Sequence, residues 1–122
     1  MELRVEAAKR ILKRFGCPVL AKGGHAADRS DDVLITGEGV EVFPGERIRT
    51  KNTHGTGCTL STAIASNLAK GMTLSRAVRR AKSYVTGALA AGLDLGKGSG
   101  PLHHGFAIEN EFSGMKADGD DA

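Results

Sequence analysis

The chain has 122 residues, with 17 basic and 14 acidic side chains for a net charge of +3, four phenylalanines, one tyrosine and no tryptophan; this is room for one small domain that buries roughly two thirds of its unfolded surface. So modest a charge with so few aromatic rings excludes a nucleic-acid footprint, and nucleic acid is not expected as a partner. The apolar runs fall far short of the roughly 20 residues of a membrane span, and the N-terminal MELRVEAAKRI is a charged amphipathic stretch rather than a signal peptide, so no membrane is expected and the chain reads as cytoplasmic.

Residues 2–15 place Val5, Ala8, Ile11, Leu12 and Phe15 at helical spacing, with Lys9, Arg10, Lys13 and Arg14 on the other faces. Gly16 stands where a C-terminal cap belongs and Pro18 bars continuation. A helix with no strand before it has the pattern of a βαβ crossover whose first strand is missing. Cys17–Ala21 is a short apolar run bounded by glycines, the signature of a buried parallel strand. It delivers Lys22, Gly23, Gly24 and His25 to the edge where open α/β sheets bind ligands. Lys22 there is either a phosphate contact or a solvated loop lysine. After a polar loop, Val33–Thr36 and Val40–Phe43 flank Gly37-Glu38-Gly39 and predict a β-hairpin. Arg47–Thr50 is extended and leads into the next motif.

That motif, TKNTHGTGCTLSTAIA from Thr50 to Ala65, is a Gly-Thr-Gly-Cys turn opening into a helix over 57–70 with Leu60, Ala63, Ile64 and Leu68 on one face. The first-turn amides of a helix have no partner within it and point out with the positive end of the dipole, so the turn is suited to an anion. Cys58 lies at this end, where the dipole favours a thiolate; it is either a base or nucleophile, or a small packed hydrophobe. Gly71 is the expected cap and Thr73 the N-cap of a helix over 74–92. Leu74, Ala77, Val78, Ala81, Tyr84, Val85, Ala88 and Leu89 form its packed face, with Arg76, Arg79, Arg80 and Lys82 directed away. His25, His54, His103 and His104 with Cys58 offer no CxxC or HxxxH pair, so no zinc site is expected. Cys17 and Cys58 are expected as free thiols.

The Asn52–Ser61 string, with KGGH at Lys22–His25, RIRTKNTHG, AVRRAKSYV and LGKGSGPLHH, resembles the phosphomethylpyrimidine (hydroxymethylpyrimidine) kinase family of the ribokinase-like fold, through about His104. The resemblance implies an α/β architecture, the C-terminal half of a ribokinase-like three-layer fold with a mostly parallel sheet, a β-hairpin and covering helices. Residues 1–112 would form this domain fragment and 113–122 a disordered tail. It implies ATP- and Mg2+-dependent phosphorylation of hydroxymethylpyrimidine and of its monophosphate in thiamine biosynthesis, by in-line attack of the substrate hydroxyl on the γ-phosphoryl group. The amides of Gly55, Thr56, Gly57 and Cys58 would form the anion hole. Cys58, where sugar-kinase relatives carry an aspartate, would accept the hydroxyl proton, and Lys22 would neutralise the ATP phosphates.

The chain also departs from the family. Lys97 and Ser99 stand where histidine is common, leaving the 96–104 loop no role beyond one wall of the cleft. The Asn-x-x-Glu spacing that organises magnesium in related kinases is absent, since Asn52, Asn67 and Asn110 are followed three residues later by Gly55, Lys70 and Ser113. The family's pyrimidine-binding residues belong to the half before this segment. The isolated chain is therefore expected to be weak or inactive, with an uncovered sheet face or edge, and its expected macromolecular partner is the missing N-terminal half or a second copy in a homo-oligomer. A pyridoxal kinase of the same superfamily and a non-catalytic phosphate- or nucleotide-binding remnant are the alternative readings.

Overall fold

The computed structural model describes residues 2–23, 31–45, 55–91, 100 and 102–107. Its elements in chain order are helix α1 (Glu2–Phe15), strands β1 (Val19–Ala21), β2 (Asp32–Thr36) and β3 (Gly39–Phe43), and helices α2 (Thr56–Ala69) and α3 (Leu74–Ala91). The strands form one sheet in the order β1-β2-β3 with both pairs antiparallel. This corrects the expected parallel setting of β1, which pairs Val19 with Ile35, Leu20 with Leu34 and Ala21 with Val33. The chain returns from β1 to β2 over residues 22–31, and a parallel pair needs a longer crossover. The mostly parallel sheet is not seen among the described residues, and the expected tail lies outside them.

The period-2 alternation of β2 makes it the middle of three layers. Val33 and Ile35 face α1, packing with Ala8, Val5 and Leu12. Leu34 faces the opposite side with Phe43 and Val78, flanked by Leu20, Ile64 and Leu74. A further cluster of Leu60, Ala81 and Val85 joins α2 to α3. Full burial of a Val, Leu or Ile side chain contributes about 1.5–3 kcal/mol, so Val33, Leu34 and Ile35, buried on both faces of β2, together stabilise the fold by several kcal/mol. The hairpin turn is the two residues Gly37-Glu38, with Thr36 opposite Gly39.

The helix ends follow their local chemistry. Gly16 (φ 69°) closes α1 by donating its N–H to the Leu12 carbonyl at 2.8 Å. Gly71 (φ 93°) ends α2 with paired bonds, its N–H to Leu68 at 2.9 Å and that of Met72 to Asn67 at 3.2 Å. Thr73 caps α3, its carbonyl accepting from Ala77 at 2.8 Å and its Oγ1 from the Arg76 N–H at 3.4 Å. Leu68 differs from expectation: it is 42% exposed. Asn67, closer to the centre of the Leu60–Ile64 face, takes that place and ties the helices together through its Nδ2 on the Ala77 carbonyl at 3.1 Å. Val40 and Val42 of β3 are also exposed, at 47% and 45%, because they lie on the α1 side of the sheet while α1 packs on β1 and β2.

Residues 102–107 cross α3 as a strap. Leu102 is buried, the His103 N–H donates to Ala88 at 3.3 Å, and the Tyr84 hydroxyl donates to the His104 carbonyl at 2.5 Å. The Phe106 ring lies over Gly87, where an added Cβ would come within 2.6 Å of its Cε2. Gly87→Ala should gain up to about 1 kcal/mol of helix propensity while displacing the half-exposed ring. The expected result is a global stability within about 1 kcal/mol of wild type with faster amide exchange at His103 and Phe106. Unchanged exchange there would show that the ring does not hold the strap.

Candidate functional site

The C-terminal ends of β1 and β3 and the start of β2 meet at one end of the sheet, as antiparallel pairing requires. There Asp32, the first residue of β2, is completely buried. Its Oδ1 accepts the Gly23 N–H at 2.8 Å, and its Oδ2 accepts the Lys82 ammonium at 2.8 Å and the Lys22 ammonium at 3.3 Å. The Lys82 side chain is 16% exposed and that of Lys22 44%. Burial pushes the carboxyl of Asp32 up, but the Lys82 and Gly23 hydrogen bonds and the two ammonium charges outweigh it and hold the carboxyl below its ordinary value.

The loop ends around this cluster are fixed from two further sides. The Arg4 guanidinium on α1 donates to the carbonyls of Lys22 at 2.5 Å and Asp31 at 3.4 Å. Asp31 Oδ1 accepts the Gly45 N–H at 3.2 Å. Gly23 has no room for a side chain, since a Cβ would collide with the Asp31 backbone carbonyl. Because backbone rather than a flexible side chain must yield, Gly23→Ala is expected to cost about 2 kcal/mol, read as a lower urea midpoint with an unchanged slope; an unchanged midpoint would mean that this loop end relaxes freely.

The second part of the site is the start of α2. Gly55 is the N-cap in the left-handed conformation (φ 79°), with no side-chain cap. The first intrahelical bond runs from the Thr59 N–H to the Gly55 carbonyl at 2.8 Å. Cys58 is thus the third helical residue, one position further in than the expected start at Gly57 would put it, and its side chain is exposed. It opens a groove of about 580 Å³ between α2 and α3, lined by Cys58, Thr62, Ser66, Arg80, Tyr84 and His104. The thiol is at a surface, which removes the reading of Cys58 as a small packed hydrophobe.

The predicted site residues therefore fall in two places. Gly55, Thr56, Gly57 and Cys58 are brought together at the α2 N-terminus, and Lys22 belongs to the cluster at the sheet end. Gly24, His25 and residues 46–54 lie outside the described residues, as does most of the 96–104 loop. Sequence reading missed three members of the sheet-end cluster. Asp32 reads as part of a polar loop, Arg4 as one more charge on an amphipathic helix, and Lys82 as solvated. Lys82 is instead drawn inward by a carboxylate 50 residues earlier in the chain, and its stem lines a cleft of about 840 Å³ between β3 and α3 together with Gly45, Ser83 and Thr86. The one signal available was position: Lys82 follows Ala81, which is buried, on the border of the packed face.

The sequence profile of the phosphomethylpyrimidine kinase family matches residues 2–103. The chain belongs to the phosphomethylpyrimidine kinase family. It is 49% identical over 89 residues to a hydroxymethylpyrimidine/phosphomethylpyrimidine kinase of Streptomyces coelicolor, covering 73% of this chain and 33% of the relative. It is 46% identical over 106 residues to the thiamine biosynthesis bifunctional protein ThiED of Geobacter sulfurreducens, covering 86% of this chain and 22% of that protein. Among solved structures, the pyridoxal kinase of Staphylococcus aureus in complex with AMP-PCP superposes with a TM-score of 0.82 at 29% identity, over 88% of this chain and 40% of that one. The ADP complex of Bacillus subtilis pyridoxal kinase does so with a TM-score of 0.77 at 38% identity, over 84% and 40%. The chain thus spans at most about two fifths of the length of these kinases. These two pyridoxal kinase structures hold AMP-PCP and ADP respectively. Among the described residues of this kinase segment no helix is long and apolar enough to cross a membrane.

Proposed function

We propose that this chain is the part of an ATP-dependent hydroxymethylpyrimidine/phosphomethylpyrimidine kinase that carries the anion hole and proton acceptor, acting in thiamine biosynthesis. The observation that carries this reading is the family match over residues 2–103, which includes both the α2 N-terminus and the Lys22 cluster. In this reading the amides of Gly55, Thr56, Gly57 and Cys58 face the transferring phosphoryl group, where fixed dipoles stabilise developing charge without reorganising. The exposed Cys58 side chain accepts the proton of the attacking hydroxyl. Lys22 takes a phosphate of ATP.

Magnesium, when bound, supplies charge neutralisation on the ATP phosphates. Among the described residues no group of three or more His, Cys, Asp or Glu side chains could hold a metal ion. None of the described residues is assigned to that ion. The remaining segment of the kinase domain, residues with no counterpart here, would complete the acceptor pocket, so we expect little or no transfer by the chain alone. Residues 1–112 would then be a fragment of one domain.

The test is ATP-dependent phosphorylation of hydroxymethylpyrimidine and of pyridoxal by the chain alone and by the chain mixed with the N-terminal part of a family kinase. Activity on the pyrimidine only in the mixture is expected. Transfer to pyridoxal in preference would establish the second reading, which the similarity to two pyridoxal kinase structures favours. Silence of the mixture toward both substrates, with retained phosphate binding, would replace both by a non-catalytic phosphate-binding module.

A further inference from the structure

Among the described residues Asp32 is the one buried charged residue, the proposed reaction does not use it, and its surroundings are asymmetric. Both lysines bond the same oxygen, but Lys82 is nearer, at 2.8 Å against 3.3 Å, and its side chain is 16% exposed against 44% for Lys22. The other oxygen is fixed by the Gly23 N–H at 2.8 Å, which sets the orientation of the carboxylate. Resting on the phosphate-site reading above, we propose that Asp32 and Lys82 form an ion-paired anchor that aims Lys22 at a polyphosphate, Lys82 offsetting the Asp32 carboxylate, which makes both of them positioning residues of that site.

The reason lies in charge balance. One carboxylate with one lysine is neutral, and an anion approaching that pair would have to compete with a buried carboxylate for the ammonium. Two ammonium groups share the one Asp32 carboxylate, and the head open to an anion is the more exposed one, that of Lys22. A lysine held in this way has also lost its rotamer freedom before the anion arrives, so less is lost on binding. Lys82 therefore assists an anion that it does not touch. A merely structural ion pair would have no such effect.

The experiment is calorimetric titration of the whole chain with inorganic tripolyphosphate, at two salt concentrations, for wild type, Lys22→Met, Lys82→Met and the double variant Asp32→Asn/Lys82→Met. Wild type is expected to bind, and Lys22→Met to lose most of the affinity. Lys82→Met should bind about tenfold more weakly, because an unmatched carboxylate a few ångströms away then opposes the anion. The double variant, in which an amide and a methionine replace the pair, should recover most of that loss. Thermal melts identify variants that fail to fold. If Lys82→Met does so, amine acylation of the wild-type chain read by mass spectrometry decides instead. Lys22 should label readily and be protected by tripolyphosphate, and Lys82 should label slowly with or without it. Equal protection of both lysines would make Lys82 a ligand and overturn the anchor. Folded Lys82→Met and double variants that bind as wild type would overturn it while leaving the phosphate site intact. Absence of binding by wild type would overturn the phosphate-site reading and the anchor together.

Discussion

Asp32→Ala is expected to destabilise the chain by about 3–5 kcal/mol, the range observed when one partner of a buried ion pair is removed. Three donors lose their acceptor at once, the Gly23 N–H and the ammonium groups of Lys22 and Lys82. The half-exposed Lys22 head turns to water at little cost. The N–H of Gly23, a buried residue, has no such escape, and its stranding together with the loss of the short Lys82 bond accounts for the size of the effect. In a domain whose total stability is of the order of 5–15 kcal/mol, this is a fall in Tm of well over 10 °C, since 1 kcal/mol corresponds to roughly 4–8 °C at this size. A loss below 1 kcal/mol would mean that the cluster is solvated in solution.

The same carboxyl sets an acid limit. Its folded value lies below the ordinary 3.8, so it contributes stability that is fully present above that value and is lost as pH falls through the lower folded value. The difference in urea midpoint between wild type and Asp32→Asn should therefore be constant from pH 7 to the ordinary value and shrink beneath it. A difference that shrank on raising the pH instead would reverse the assignment.

Cys58→Ala should lower kcat for phosphoryl transfer in the complemented kinase by about 10²–10⁴, the usual contribution of a positioned general base. The substitution removes only a sulfur from an exposed side chain in the first turn of α2, and alanine is the best helix former, so the fold and the backbone amides of the anion hole are kept. Affinity for ATP should stay within about twofold, because the thiol in this reading acts on the acceptor hydroxyl rather than on the nucleotide. Retained turnover would remove the base assignment; loss of ATP affinity with unchanged kcat would place the thiol against the nucleotide instead.

Local chemistry is what the amino-acid sequence determined by itself. The three helices, their caps at Gly16, Gly71 and Thr73, and the hairpin around Gly37-Glu38 fall within a residue or so of where periodicity and capping place them, since each depends on neighbours a few positions away. The Gly-Thr-Gly-Cys turn was legible for the same reason. Tertiary structure alone decided the pairing of β1 with β2, the exposure of Leu68, and the enclosure of Asp32 between Lys22 and Lys82. Hydropathy reads Asp32 and Lys82 as solvated because each is charged. Only when β2 and α3 pack do they meet, and a buried charge is stable only where a partner from a distant part of the chain is already in place.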